Sequence, residues 1–184
     1  SGQLARQIEN GAPFDVYLSA NEEFVRQLER SGNLLPGTVR VYATGRLGIW
    51  SATGDVRTLK DLLRPDVKHV AIANPRHAPY GMAAEQLLRS TGLWETLQPK
   101  LVYGENVRQA YEFARTRNAD AVITSWTLVR DSGGVQLDSS GHKPIRQAAA
   151  IVKSTRLLRA AQAFLDMLAS SEGRAILAAH GLQP

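Results

Sequence analysis

Three short segments of the sequence could bind an anion through backbone groups alone. They are Ser1-Gly2, Pro79-Tyr80-Gly81 and Glu105-Asn106-Val107, and each begins a helical pattern. A helix N-terminus presents N–H groups without helical partners and the positive end of the helix dipole, so it attracts anions without a charged side chain. Each segment taken alone also fits an ordinary helix start: a serine cap, a proline-led first turn, and an acidic residue that complements the dipole.

Four residues are therefore candidate ligands for an oxyanion. Ser1 would donate through its hydroxyl and amide, and Tyr80 and Val107 through backbone N–H groups. Tyr80 and Val107 follow the apolar runs 70–73 and 101–103, and Ser125 follows the run 121–124. If these runs are neighbouring strands of a doubly wound sheet, their carboxyl ends open on one crevice. Ser125 is interpreted equally well as a turn serine.

Alternating strand and helix patterns supply the framework for these segments. Apolar or β-branched runs predict strands at 15–19, 39–43, 47–50, 70–73, 101–103, 121–124 and 147–152. Amphipathic patterns predict helices between most of them, and two helices over 156–179 broken near 170–173. Strands separated by helices with short connections predict three-layer α/β/α packing. The two last helices are expected to pack back on the N-terminal unit.

Composition limits the class of protein without identifying it. The 184 residues include 43% hydrophobic and 21% charged residues, which is typical of globular domains. The formal net charge of +5 favours anionic partners, but the basic residues are interspersed with acidic ones and no nucleic-acid motif is present. We therefore expect no nucleic-acid partner. The absence of cysteine excludes disulfides, thiolate metal sites and cysteine nucleophiles.

Catalytic and metal-binding patterns are weak by comparison. His77 could serve as a general base, but the sequence indicates no partner for it, and a structural role is the simpler interpretation. His69, His142 and His180 lack the spacing of metal ligands. We therefore predict no catalytic residues, no cofactor and no direct metal ligand.

Four segments resemble the periplasmic molybdate-binding proteins of bacterial ABC transporters. Residues 1–21, SGQLARQIENGAPFDVYLSAN, are similar to the family block S-x-x-L-x-x-Q-I-x-x-G-A-P-x-D-x-x-x-S-A-D/N. Residues 73–81 (ANPRHAPYG), 93–101 (LWETLQPKL) and 105–108 (ENVR) resemble further family segments. The resemblance covers nearly the whole chain, and the first block is its most specific part because it is long and has no gaps.

The resemblance implies a two-lobed α/β fold of the type II periplasmic binding protein class, with a hinge between three-layer lobes. Residues 1–42 and 153–184 would form lobe I, and residues 43–152 an inserted lobe II. The family's first strand-helix-strand unit, about thirty residues on the usual scale, has no counterpart here, so lobe I is expected to be N-terminally truncated. Ser1, Tyr80 and Val107 match family ligand positions, whereas Ser125 stands where some members have a tyrosine hydroxyl.

The function that the resemblance implies is capture of molybdate or tungstate outside the cytoplasm and delivery to the permease subunits of an ABC importer. The protein would be a monomer and not an enzyme. The metal would be held only as its oxyanion. Two alternatives stay open from the sequence: an oxyanion-sensing effector domain of the same fold, and a binder of another tetrahedral oxyanion such as sulfate.

Overall fold

The computed structural model describes all residues 1–184, which divide into two compact units. Unit 1 comprises residues 1–45 and 145–184, and unit 2 comprises residues 46–144. No helix is long and apolar enough to cross a bilayer. In chain order the elements are α1 (Gly2–Glu9), β1 (Val16–Ser19), α2 (Glu22–Arg30), β2 (Arg40–Gly45), β3 (Leu47–Trp50), β4 (Val70–Ala73), α3 (Pro79–Ser90), α4 (Trp94–Leu97), β5 (Leu101–Gly104), α5 (Val107–Arg115), β6 (Ala121–Ser125), α6 (Trp126–Val129), β7 (Val135–Gln136), β8 (Ile145–Ile151), α7 (Leu158–Ala169) and α8 (Ser171–Ala179).

Unit 1 is built around a three-stranded antiparallel sheet in the order β1-β8-β2. Successive residues of β8 point to opposite faces, and both faces are covered. Ala148 and Ala150 pack with the buried side chains of α1 and α2, whereas Ala149 and Ile151 pack against α7. The alanine run is a central strand because small side chains let helices approach both faces of the sheet.

The strand β8 corrects the predicted boundaries between the units. The prediction gave residues 43–152 to the inserted lobe, but residues 43–45 and 145–152 lie in unit 1. They lie there because β8 forms its ladders with β1 and with Arg40–Gly45 of β2, so the pairing strands cannot belong to different units. The chain therefore enters unit 2 after Gly45 and leaves it after Pro144.

Unit 2 contains a five-stranded sheet in the order β5-β4-β6-β3-β7. Strands β5, β4 and β6 are parallel. Strand β3 pairs antiparallel with both β6 and β7, so β7 runs in the same direction as the three parallel strands. The connection from β4 to β5 moves one way along the sheet, and the connection from β5 to β6 moves back past β4. Right-handed crossovers in opposite directions place α3 and α5 on opposite faces. Ala110 and Ala114 of α5 accordingly pack on Ala71 and Val122.

Two glycines let these helices start very close to the strand ends. A side-chain Cβ at Gly81, in the first turn of α3, would overlap the carbonyl oxygen of Ala73 at the end of β4. A Cβ at Gly104, which ends β5, would lie 2.6 Å from the backbone nitrogen of Ala110 in α5. Backbone atoms in ladders and helices cannot easily move aside, so both positions require glycine.

Replacing Gly81 with alanine should therefore destabilise the protein by about 3 kcal/mol, since the new methyl group meets a fixed carbonyl. Urea unfolding followed by tryptophan fluorescence measures this loss. The control is Gly32→Ala, where φ is +74° but nothing lies within 4 Å of the new Cβ. That change should cost about 1 kcal/mol from backbone strain alone. A smaller loss for Gly81→Ala than for Gly32→Ala would contradict the close approach.

Candidate functional site

The carboxyl ends of β5, β4 and β6 form one edge of the unit 2 sheet, here called the carboxyl edge. The three strands are parallel, with Ala73 opposite Gly104 and Ile72 opposite Ile123. The loop before α3, the turn before α5 and Ser125 therefore all leave the sheet at this edge. Because the connections after β4 and β5 diverge to opposite faces, the carboxyl edge has the topology of a ligand crevice.

The start of α3 lacks a capping side chain. Its N-cap residue is Ala78, which has no oxygen to accept from the first turn, and Pro79 at the first helical position has no N–H. Pro79, Tyr80 and Gly81 are buried. The Tyr80 amide is thus the first N–H of this helix. It belongs to a turn that Gly81 holds against the end of β4.

The hydrogen bonds that cap α5 use the N–H groups of Gln109 and Glu105 and do not use the N–H of Val107. The Asn106 side chain accepts the N–H of Gln109 at 3.0 Å, and the Gln109 side chain accepts the N–H of Glu105 at 2.6 Å. The N–H of Val107 has no acceptor within the protein. It lies at the positive end of the helix dipole, and the N–H groups of Glu105 before it and Gln109 after it are both hydrogen-bonded.

Hydrogen bonds from two other strand ends fix the backbone around Val107. The Thr124 hydroxyl at the end of β6 donates to the carbonyl of Val107 at 3.1 Å. The ring nitrogen Nε2 of His77 lies 3.1 Å from the carbonyl oxygen of Glu105 and 3.3 Å from its carboxylate oxygen Oε2. Both oxygens only accept, so Nε2 carries the hydrogen and donates. The two loops at the carboxyl edge are therefore joined directly.

Ser125 lies at the same edge, but its hydroxyl is engaged within its own turn. Only 3% of the residue is exposed, and its Oγ lies 2.8 Å from the Thr127 hydroxyl oxygen. The adjacent Trp126 N–H donates to the carbonyl of Arg46 at 2.8 Å, which fixes the start of α6. A ligand would have to share the Ser125 hydroxyl with Thr127.

Ser1 belongs to unit 1, where it precedes α1. Its Oγ accepts the N–H of Ala20 at 3.0 Å and makes no capping bond to its own helix. Because Oγ is an acceptor in this contact, its hydrogen remains available for donation. The Tyr17 hydroxyl donates to the Ser1 carbonyl at 2.9 Å, and burial raises the pKa of Tyr17, so this donor stays protonated at neutral pH.

Three predicted site residues, Tyr80, Val107 and Ser125, thus lie at the carboxyl edge of unit 2, while Ser1 lies in unit 1. Sequence reasoning missed the residues that hold the donors in place. His77 was noted without its partner Glu105, and neither Thr124 nor Tyr17 was singled out. The sequence carries no signal for these bonds, because each joins residues that are at least sixteen positions apart and that only the fold brings together.

The chemistry available at these positions is hydrogen-bond donation. Amide and hydroxyl groups dominate, and Ser125 pairs with Thr127 and not with a base. No group of three or more His, Cys, Asp or Glu side chains is arranged to hold a metal ion. Such donors fit a small ligand rich in acceptor oxygens.

Comparison with known proteins gives a consistent match. The family model of bacterial extracellular solute-binding proteins matches residues 1–183. The chain is 40% identical over 187 residues to the molybdate-binding protein ModA of Rhodobacter capsulatus, covering 98% of this chain and 73% of that protein. It is 36% identical over 189 residues to the ModA of Azotobacter vinelandii, covering 98% of this chain and 75% of that protein.

Solved structures agree with these matches. The periplasmic molybdate-binding protein of Azotobacter vinelandii superposes with a TM-score of 0.93 at 32% identity, covering all of this chain and 84% of that one.

Substituting phenylalanine for Tyr17 should cost about 1 kcal/mol of stability, since it deletes only the hydroxyl that donates to the Ser1 carbonyl. That carbonyl keeps its helical bond from Ala5, which limits the loss. The matched control is Tyr103→Phe, because Tyr103 is 45% exposed, and we expect a change within about 0.5 kcal/mol there. Urea unfolding of both variants is the measurement, and equal stabilities would contradict the role of the Tyr17 bond.

Proposed function

The chain belongs to the family of bacterial extracellular solute-binding proteins, and from that premise we propose that its solute is molybdate. The predicted fold class, the type II periplasmic binding protein fold, is confirmed by the match to the periplasmic molybdate-binding protein of Azotobacter vinelandii. Two relatives that cover 98% of this chain, at 40% and 36% identity, carry the name molybdate-binding protein. We extend that ligand to this chain, with tungstate as an equivalent because its size and charge are nearly the same.

The observation that carries this proposal is the unpartnered N–H of Val107. It lies in the first turn of α5, at the carboxyl edge that it shares with the first turn of α3. Val107 is half-buried, and an N–H in the first turn of a helix takes its partner from outside the helix, as water or as a ligand. A doubly charged oxyanion with four acceptor oxygens would satisfy it and gain from the helix dipole.

In this proposal the four predicted residues keep their roles. Ser1 donates through its hydroxyl and amide, and Tyr80 and Val107 donate backbone N–H groups. Ser125 supplies a hydroxyl that it shares with Thr127. All of these donors are neutral. They select a ligand by the number and positions of its acceptors, because an oxyanion of another size leaves some of them unpaired.

The protein would act outside the cytoplasm and deliver the anion to the membrane subunits of an ABC importer. We propose that it does so as a monomer and that it catalyses no reaction. The family description, bacterial extracellular solute-binding protein, supports the location and the binding role. The pairing of Ser125 with Thr127, in place of a general base, favours binding over catalysis.

A panel of oxyanions tests the proposed ligand. Molybdate and tungstate should each raise the thermal midpoint of the full-length protein, and a hundredfold excess over Kd adds about 2.7 kcal/mol of stability. Sulfate should not, because its oxygens are spaced differently from those of molybdate. Phosphate should not raise the midpoint either, because it carries a proton at neutral pH. Its O–H group would face an N–H or O–H donor of the site instead of an acceptor. Differential scanning calorimetry at matched ionic strength provides the measurement.

Each other outcome of the panel has a definite meaning. A response to sulfate equal to that for molybdate would replace molybdate with a broader class of tetrahedral oxyanions. No response to any of the four anions would overturn the proposal.

Replacing Val107 with proline should weaken molybdate binding at least about tenfold, since it removes one charge-assisted hydrogen bond. Proline is tolerated at the first helical position, and the preceding Asn106 is extended, at φ −154° and ψ 174°, as a residue before proline requires. The change therefore deletes the proposed donor with little effect on the helix. Isothermal titration calorimetry gives the Kd.

The control for this variant is Ser171→Pro, at the first position of α8 in unit 1. Ser171 is exposed and belongs to no predicted site. Its proline variant should bind molybdate as the wild type does. Wild-type affinity in Val107→Pro would remove Val107 from the site.

A further inference from the structure

We propose that His77 is a positioning residue that orients the Val107 amide for the ligand. The inference rests on the proposed function, because it concerns how the molybdate donors are held. His77 lies in the loop between β4 and α3, and its ring contacts the segment before α5. It is thus the direct link between the two turns at the carboxyl edge.

The argument starts from consecutive peptide units. The Glu105 carbonyl, which accepts from His77, belongs to the peptide unit immediately before the one that carries the Val107 N–H. The Val107 carbonyl, which accepts from Thr124, belongs to the unit immediately after it. The Val107 amide plane therefore lies between two peptide units, one held by His77 from the loop after β4 and the other by Thr124 near the end of β6. With both neighbouring units held, the Val107 N–H can turn away from the crevice only by a large change in φ of Val107 itself, which would take this β-branched residue out of its helical conformation.

The same contact sets the spacing between the two proposed amide donors. His77 precedes Tyr80 by three residues, and Glu105 precedes Val107 by two. Where the two loops leave the sheet, the Asn74 N–H donates to the Gly104 carbonyl at 2.7 Å, so the loops are also joined at the strand ends. A fixed spacing between donors is what lets neutral groups discriminate among oxyanions of different size.

The bond from His77 to the Glu105 carbonyl matters more than its contact with the Glu105 carboxylate. The Glu105 side chain is 73% exposed, and exposed ion pairs contribute little, whereas the His77 side chain is 24% exposed. A carboxylate near an anion site also repels the ligand. The positioning effect is therefore assigned to the hydrogen bond between the imidazole and the Glu105 main chain.

Three histidine variants test this assignment in the full-length protein. His77→Ala should weaken molybdate binding about tenfold, the usual size of one lost hydrogen bond. His77→Gln retains an N–H donor on a side chain of similar reach and should restore the affinity to within about threefold of wild type. His69→Ala is the matched control, because His69 is exposed and precedes the opposite end of β4, and its affinity should be unchanged. Titration calorimetry measures all three.

Glu105→Gln separates the two contacts of His77. It removes the carboxylate charge but leaves the main-chain carbonyl that accepts from Nε2. We expect affinity equal to or slightly tighter than wild type. A loss as large as that of His77→Ala would assign the effect to the ion pair and overturn the main-chain role.

A second readout distinguishes failure of this inference from failure of the proposed function. In the ligand-free protein, the ¹⁵N–¹H resonance of Val107 should shift in His77→Ala and return toward its wild-type position in His77→Gln. If the wild type binds no molybdate, the proposed function is wrong, and this resonance still decides the positioning role. An unmoved Val107 resonance in His77→Ala, or wild-type molybdate affinity in that variant, overturns the inference.

Discussion

The geometry of unit 2 depends on two backbone contacts that are too close for a Cβ atom. Gly81 brings the first turn of α3 onto the Ala73 carbonyl, and Gly104 brings β5 onto the backbone of Ala110. These contacts leave each helix little freedom to tilt or slide along its strand. Since β4 and β5 are parallel and adjacent, both helices then begin at one edge of the sheet. The N-termini of α3 and α5 therefore converge because of packing, and no ligand is needed to bring them together.

Neutral donors are well suited to an anion when the protein already holds them in place. A charged side chain would attract every anion and would itself need a partner when buried. Peptide N–H groups carry no net charge, yet at a helix start they benefit from the dipole of the whole helix. In the proposed site, the +5 net charge of the protein would supply general attraction for anions, and the donors would select among them. The charges and the donors therefore perform different tasks and lie on different residues.

Sequence reasoning succeeded where local pattern and topology agree. The apolar runs before Tyr80 and Val107 are parallel neighbours, as the alternation of strand and helix predicted. It failed at β8, because an alanine-rich strand carries little pattern to say which sheet it joins, and the boundary after residue 152 followed from that error. It also missed the bonds of His77, Thr124 and Tyr17. Their partners are carbonyl groups, which every residue has, so residue type gives no indication of the pairing.

These three bonds share one physical principle, and it applies in each unit separately. In each, a side chain donates to a main-chain carbonyl beside a predicted ligand donor: Tyr17 to Ser1, His77 to Glu105, and Thr124 to Val107. A carbonyl that is held fixes its own peptide plane, and the neighbouring peptide unit can then turn only about the bonds at its own Cα atoms. The entropy of ordering these donors is then lost during folding and not during binding, so more of the interaction energy is expressed as affinity. In the proposed site, Tyr17, His77 and Thr124 would therefore contribute to binding by holding the backbone beside the donors, without touching the ligand themselves.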